Sequence, residues 1–427
     1  MSHRRVFTIV AVLVALPAAG LPRPLCAQAS GQEPAGISAG KDGFSVTSAD
    51  GAYQLRLKGL VQEDGRFFDA DRQKPASDTF LMRRARPILE ATLAKIFDVR
   101  IAPDFGQGQT VLFDAYLEVR FRPAARLRAG KFKPPVGLER LQAASDTLFV
   151  ERALPSGLVP NRDVGVQLSG DLFGSRLSYA LGAFNGTVDG GNGDADSNDG
   201  KEAAARVFVT PFAKSAAGWA QGIGFGVGAT YGNTHGTPAS TGVGGYKTAG
   251  QQAFFTYRSD GKTLAATVIG EGRRSRIAPQ AWYYVGRFGA IAEYVRSKQE
   301  VALNGVAGEL ADTAWQVTAS FLLTGDKASF KGVSPRKPFD KEAHTWGALE
   351  LVARAGRWSI DDKAFPVFAD PAASARRATE RGAGVNWYLT RNVRLMLDYV
   401  ETRFEGGDVA GDREDEKVLL DRLQISF

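Results

Sequence analysis

The sequence is poor in the residues that most chemistry needs. It has one cysteine, three histidines and three methionines in 427 residues. Cys26 lies near the N-terminus and has no partner, so no disulfide framework forms within the chain, and stability has to come from backbone pairing and burial. His235 and His344 are far apart and near loops, so neither a histidine metal cluster nor a Ser-His hydrolase constellation stands out, and no cofactor is expected. Beyond residues 6–19 there is no run of eighteen apolar residues, which excludes a helical membrane protein. The excess of base over acid is small. It falls to about +4 once an N-terminal segment with three arginines and no acid is removed, too little to argue nucleic-acid binding.

Two further signals fail on spacing. The stretch from Asp189 to Gly200 is rich in Asp, Asn and Gly, but the glycine and the final glutamate of an EF-hand loop are missing from their positions, so it reads as a solvated outer loop. The glycines from Gly222 to Gly228 alternate with apolar residues and precede no helix, which fits a strand rather than a nucleotide loop.

What is present begins with Met1-Ser2-His3-Arg4-Arg5, followed by an apolar run from Val6 to Ala19 and small residues around Ala27-Gln28-Ala29. That is the order of a secretory signal peptide, expected over residues 1–29. Residues 30–52 read as a flexible periplasmic lead-in. From Tyr53 onward the chain alternates with period two: Tyr53, Leu55 and Leu57 share one face, and Gln54, Arg56 and Lys58 the other. The pattern returns at Ala115–Phe121, Ile223–Ala229, Trp315–Phe321, Val393–Tyr399 and Leu419–Phe427. Such segments, separated alternately by short turns and longer polar loops, fit an all-β transmembrane antiparallel barrel over residues 53–427. Tyr179, Trp282, Trp346, Trp387 and Tyr399 stand near strand ends, where interfacial girdles sit. Segment counting gives about eighteen strands, and sixteen or eighteen both leave an aqueous lumen. The long, breaker-rich stretch 323–343 falls on the periplasmic side by strand parity. The last strand ends on Phe427, an aromatic of the kind that barrel assembly machinery recognises.

The connection from Pro134 to Asp163 is too apolar for an outer loop, with Leu138, Leu141, Leu148, Phe149, Val150, Leu154 and Leu158. In a wide barrel it has only the inner wall to pack on, so an inward-folded constriction loop is expected. Basic residues gather on this loop and on the lumen-facing positions before it, among them Arg84, Arg86, Lys133, Arg140, Arg152 and Arg162. Two unit charges about 4 Å apart interact by about 4 kcal/mol at an effective dielectric of about 20, so like charges there need carboxylates such as Asp114 or a permeant anion between them.

Several motifs together resemble the phosphate-selective porin O and P family: Arg83–Glu90, Pro103–Gly106, Phe113–Tyr116, Gly130–Glu139, Gly384–Tyr388 and Arg422–Phe427. The resemblance implies a trimeric, 16-stranded outer-membrane porin, surrounded by lipid and lipopolysaccharide, passing phosphate, pyrophosphate or polyphosphate by passive diffusion. It implies anion-binding roles for Arg83 and Arg84, for Asp114 and for Arg140 after Gly-Leu-Glu; Arg86 and Lys133 join them as cations at the constriction. The sequence departs from the pattern at Arg86, where an aromatic is expected, at Lys133 and at Leu60. Anion preference therefore follows more firmly than strict orthophosphate selectivity. A general diffusion porin, or a non-conducting adhesion barrel with heavier outer loops, is the alternative reading.

Overall fold

The computed structural model describes residues 35–427 apart from 41, 70–75 and 197; the expected signal peptide lies outside the described residues. Sixteen strands form the wall: β1 Gln54–Phe68, β2 Thr79–Leu93, β3 Phe97–Asp104, β4 Val111–Arg122, β5 Ala125–Phe132, β6 Asp163–Leu172, β7 Leu177–Phe184 and β8 Glu202–Val209. They continue as β9 Ile223–His235, β10 Ile269–Val285, β11 Phe288–Leu303, β12 Val306–Leu322, β13 Ala348–Ser359, β14 Ala375–Tyr388, β15 Val393–Asp408 and β16 Glu416–Ser426. Each is antiparallel to the next, and β16 pairs with β1 from Ser426↔Leu60 to Val418↔Phe68 to close the barrel.

The period-two pattern sets which side of the wall each residue faces. Along β16, Leu419, Leu423 and Ile425 are exposed on the outer face, whereas Val418, Leu420, Arg422 and Gln424 are buried toward the lumen. The tightest turns are two residues long. Asn304-Gly305, between β11 and β12, has both residues at positive φ, the backbone that joins twisted strands without splaying them.

Sixteen strands replace the segment count of about eighteen. Loop segments folded into the lumen carry strand-like residues, as in Tyr246–Lys247 and Ala253–Phe255, but these pair only with each other. The lead-in also needs correction. Gly36–Gly40 and Gly43–Thr47 form a hairpin whose second strand pairs with Gln54–Leu57 of β1. This is the part of the β1 edge that lies below the reach of β16, and a free edge of that kind recruits any strand able to pair with it.

Tyr179 and Trp282, expected in the girdles, face inward. The Tyr179 hydroxyl donates to the Ala124 carbonyl at 2.8 Å, and Trp282 packs on Phe208 at 4.3 Å between ring centroids. Trp346 and Trp387 do stand in an aromatic cluster with Phe339 near the end of β14.

Three segments enter the lumen. The constriction loop, residues 133–162 between β5 and β6, packs Leu138, Phe149, Val150, Leu154 and Leu158 away from water. Residues 236–268 bring Tyr246 against Trp358 at 4.2 Å, its hydroxyl donating to Asp312 at 2.9 Å. From the periplasmic side, the connection 323–347 lifts Phe330 onto Trp282 at 4.7 Å, and the Phe330 carbonyl accepts from Gln142 of the constriction loop at 2.8 Å.

Candidate functional site

A loop inside a barrel has to satisfy its own backbone, because neither a neighbouring strand nor bulk water reaches it fully. Here the wall supplies the partners as side chains. Gln62 donates to Ala144 O at 3.1 Å, Gln424 to Ser145 O at 3.1 Å, Arg394 to Thr147 O at 3.0 Å and Asn386 to Leu148 O at 2.9 Å. The Val150 amide donates to Asp398 at 2.6 Å, and Arg354 donates to Glu151 O at 2.8 Å. Residues 144–151 are thus tied to β1, β16, β15, β14 and β13. At the loop's start, the amide of Leu138 donates to Glu293 of β11 at 2.5 Å. These anchors come from six of the sixteen strands.

Two bulges set the opposite side of the passage. Between β1 and β2 the register steps from Gln62↔Arg84 to Glu63↔Met82, which leaves Arg83 as the extra residue. In a regular strand Arg83 and Arg84 would point to opposite faces; the bulge lets both turn inward. Arg83 meets Glu151 of the loop at 2.6 Å through Nε, and Arg84 donates to Gln62 Oε1 at 2.5 Å. A second bulge between β3 and β4, from Ala102↔Asp114 to Pro103↔Leu112, does the same for Phe113 and Asp114.

Two cavities lie on either side of the loop. The outer one is lined by eight cationic side chains (Arg83, Arg84, Arg86, Lys133, Arg140, Arg152, Arg162 and Lys247) against three carboxylates (Asp104, Glu151 and Asp189). The inner one, toward the periplasm, has Lys58, Arg86, Arg100, Arg126, Arg128, Lys133, Arg162 and Arg206, with Asp114 as its one lining carboxylate. Four residues line both cavities: Arg86, Lys133, Ala144 and Arg162. The route between the cavities runs past them, and three of the four are cations.

Every residue singled out in the sequence is brought to this region. Arg86 and Lys133 stand at the junction, Arg83, Arg84 and Arg140 line the outer cavity, and Asp114 lines the inner one. Arg86 is bonded to Asp104 at 2.6 Å, and Asp114 accepts from Arg162 at 3.1 Å. Lys133 donates to the Gln142 carbonyl at 2.7 Å, and Arg140 to the Ser156 carbonyl. Sequence reasoning left Arg152, Arg162 and Phe113 outside the site proper. The Pro160-Asn161-Arg162-Asp163 turn was the available signal for Arg162; a bulge leaves none for Phe113.

The loop cations lie deep and close together. Burial, followed by repulsion from Arg162 and Arg152, pushes Lys133 well below the usual lysine range. Burial and the neighbouring Arg152 bring Arg140 down to about 9. Burial opposes ionisation of Glu151 as well, yet Arg83 beside it holds this carboxyl well below the usual range.

A closed barrel of this width, with an internal constriction loop and a passage walled by cations, is a porin of the outer membrane, an anion-preferring channel. The chain belongs to the phosphate-selective porin O and P family, whose model matches residues 55–427. It is 23% identical over 419 residues to Porin O of Pseudomonas aeruginosa, covering 91% of each chain. Among solved structures, it is similar in fold to the outer membrane channel DcaP of Acinetobacter baumannii, with a TM-score of 0.57 at 12% identity over 90% of this chain and 99% of that one. The anion-selective porin from Comamonas acidovorans matches with a TM-score of 0.55 at 11% identity, over 88% of this chain and all of the other (100%).

Proposed function

We propose that this porin carries phosphate-class anions, orthophosphate and its condensed forms, by passive diffusion through a homotrimer. One observation carries the solute assignment. Among the described residues, Arg84, Lys133, Arg140 and Arg152 have no carboxylate within ion-pair distance; their hydrogen-bond partners are the neutral oxygens of Gln62, Leu141, Gln142, Ser156 and Glu139 O. Arg84 is buried and the other three are half-buried, and cations so placed without counter-charge favour a solute that brings several negative charges. Guanidinium forks suit phosphate oxygens because they donate paired bonds and keep their charge. In this reading Arg83, Arg84, Arg86, Lys133 and Arg140 bind the anion. Asp114, paired with Arg162 and Arg100, keeps the attraction weak enough for release.

Unequal wall heights support the trimer. Strands β3, β5, β7 and β8 have eight residues each, whereas β10 to β12 have sixteen or seventeen. A tilted strand needs about 9–11 residues to cross the hydrocarbon layer, so the short side is better shielded by neighbouring copies than by lipid. Leu117, Phe121, Leu127, Val166 and Leu181 are exposed on that side.

Planar-bilayer recording tests the reading. In a KCl gradient the reversal potential should favour chloride, and added phosphate or pyrophosphate should lower the chloride current. A potential favouring potassium, or a current indifferent to both phosphates, refutes it.

A further inference from the structure

We infer that Phe113 is a positioning residue of the passage, holding the Arg86 and Arg162 guanidinium groups so that the N–H groups left unbonded on each face the permeating anion. This rests on the anion reading above and goes beyond it by assigning selectivity to an uncharged side chain.

The geometry comes from the second bulge. By strand alternation Phe113 would face the membrane side, because Asp114 next to it faces inward; as the extra residue between Leu112 and Asp114 it lines the outer cavity instead. Its ring then lies 4.3 Å from the Arg86 Cζ and 4.9 Å from the Arg162 Cζ. These two arginines are the ones that line both cavities.

Each guanidinium is also bonded to a carboxylate. Arg86 donates through Nη2 to Asp104 at 2.6 Å, and Arg162 donates through Nε to Asp114 at 3.1 Å and through Nη1 to Asn161 Oδ1 at 2.6 Å. A guanidinium carries all its donors in its own plane. For Arg86, a carboxylate on one nitrogen alone would let that plane turn about the bond; the ring against its face removes this freedom. The same ring backs Arg162, leaving Nη1 of Arg86 and Nη2 of Arg162 for the solute. Phe113 therefore orients one donor from each arginine where the two cavities meet and forms no hydrogen bond itself. Such contacts contribute more when they are shielded from water, as here.

The test measures phosphate block of chloride current in the full-length channel. The phosphate concentration for half-block should rise about five- to tenfold in Phe113→Leu, the range for losing one or two such contacts. Phe113→Tyr, which keeps the ring, should retain wild-type block. Phe113→Met carries the same expectation as Leu, so loss of one variant to misassembly leaves the measurement intact. A double-mutant cycle separates orientation of the guanidinium groups from simple shape. With Arg86 and Arg162 both changed to Lys, Phe113→Leu should add nothing further. An unchanged half-block in both Phe113→Leu and Phe113→Met, or an equal added loss in the lysine background, overturns the inference. A wild-type channel that phosphate does not block overturns the anion reading along with it.

Discussion

Arg422 and Asp64 close the barrel from inside: two parallel hydrogen bonds of 2.6 and 2.7 Å join the last strand to the first across the seam, and neither side chain is exposed to solvent. Removing one member leaves the other charged and unpaired in a buried place. Asp64→Ala should cost about 3–5 kcal/mol. The shift would be read from the temperature at which the folded band is lost in heat-modifiability gels, or from urea unfolding in detergent. A seam held by backbone pairing alone would show no such loss.

The constriction loop should respond to its wall anchors even where these stay far from the solute. Asp398 accepts the Val150 amide at 2.6 Å. Asp398→Ala leaves that buried amide without an acceptor, at a cost of about 1–3 kcal/mol. Open-channel current noise should rise as the loop loosens, with mean conductance drifting upward. A quiet channel with native conductance would show that the remaining anchors suffice.

Charge on Lys133 sets a pH dependence. Its ammonium is pushed well below the ordinary lysine value of 10.5, so it loses its proton at a lower pH than a free lysine. Deprotonation removes a cation from the passage, so anion preference should fall as the pH is raised toward 10.5, not as it is lowered. Chloride reversal potentials in KCl avoid the titration of phosphate itself. The fall should be reduced in Lys133→Arg, whose guanidinium keeps its charge, and an identical profile in that variant would assign the effect elsewhere.

Phe330 tests the periplasmic connection. Its ring covers Trp282 beneath the constriction loop, and its carbonyl takes a bond from Gln142. Phe330→Ala should open the periplasmic side of the lumen on the β10 side, away from the arginine-lined wall. Conductance should increase and anion preference decrease, with a stability loss of no more than about 3 kcal/mol because the ring is only half-buried. Unchanged conductance would mean that the constriction loop alone sets the cross-section.

Gly59 exchanges both backbone hydrogen bonds with Phe427, at 2.9 and 3.0 Å, and a Cβ at Gly59 would come within 2.5 Å of the Phe427 ring. Gly59→Val should therefore displace that ring and slow barrel assembly, which would be followed as folded fraction against time after dilution from urea. Assembly at the wild-type rate would show that the ring can move aside at no cost.

The sequence by itself determined the inside and outside of the wall, since a two-residue period has only two faces and the membrane accepts one kind of residue. It also determined that the 133–162 loop turns inward, because so many apolar residues need a surface to cover them. Tertiary structure alone decided the selectivity region. The bulges that turn Arg83 and Phe113 into the lumen break the period that made everything else legible, and nothing local marks them. The wall residues that bond the loop lie as far as 279 positions from it in sequence, as Gln424 does from Ser145, so their pairing exists only once the barrel has closed. The same holds for charge. The sequence shows many arginines with acids nearby, but only closure pairs Arg83 with Glu151, Arg86 with Asp104 and Arg162 with Asp114, leaving Arg84, Lys133, Arg140 and Arg152 without carboxylate partners among the described residues.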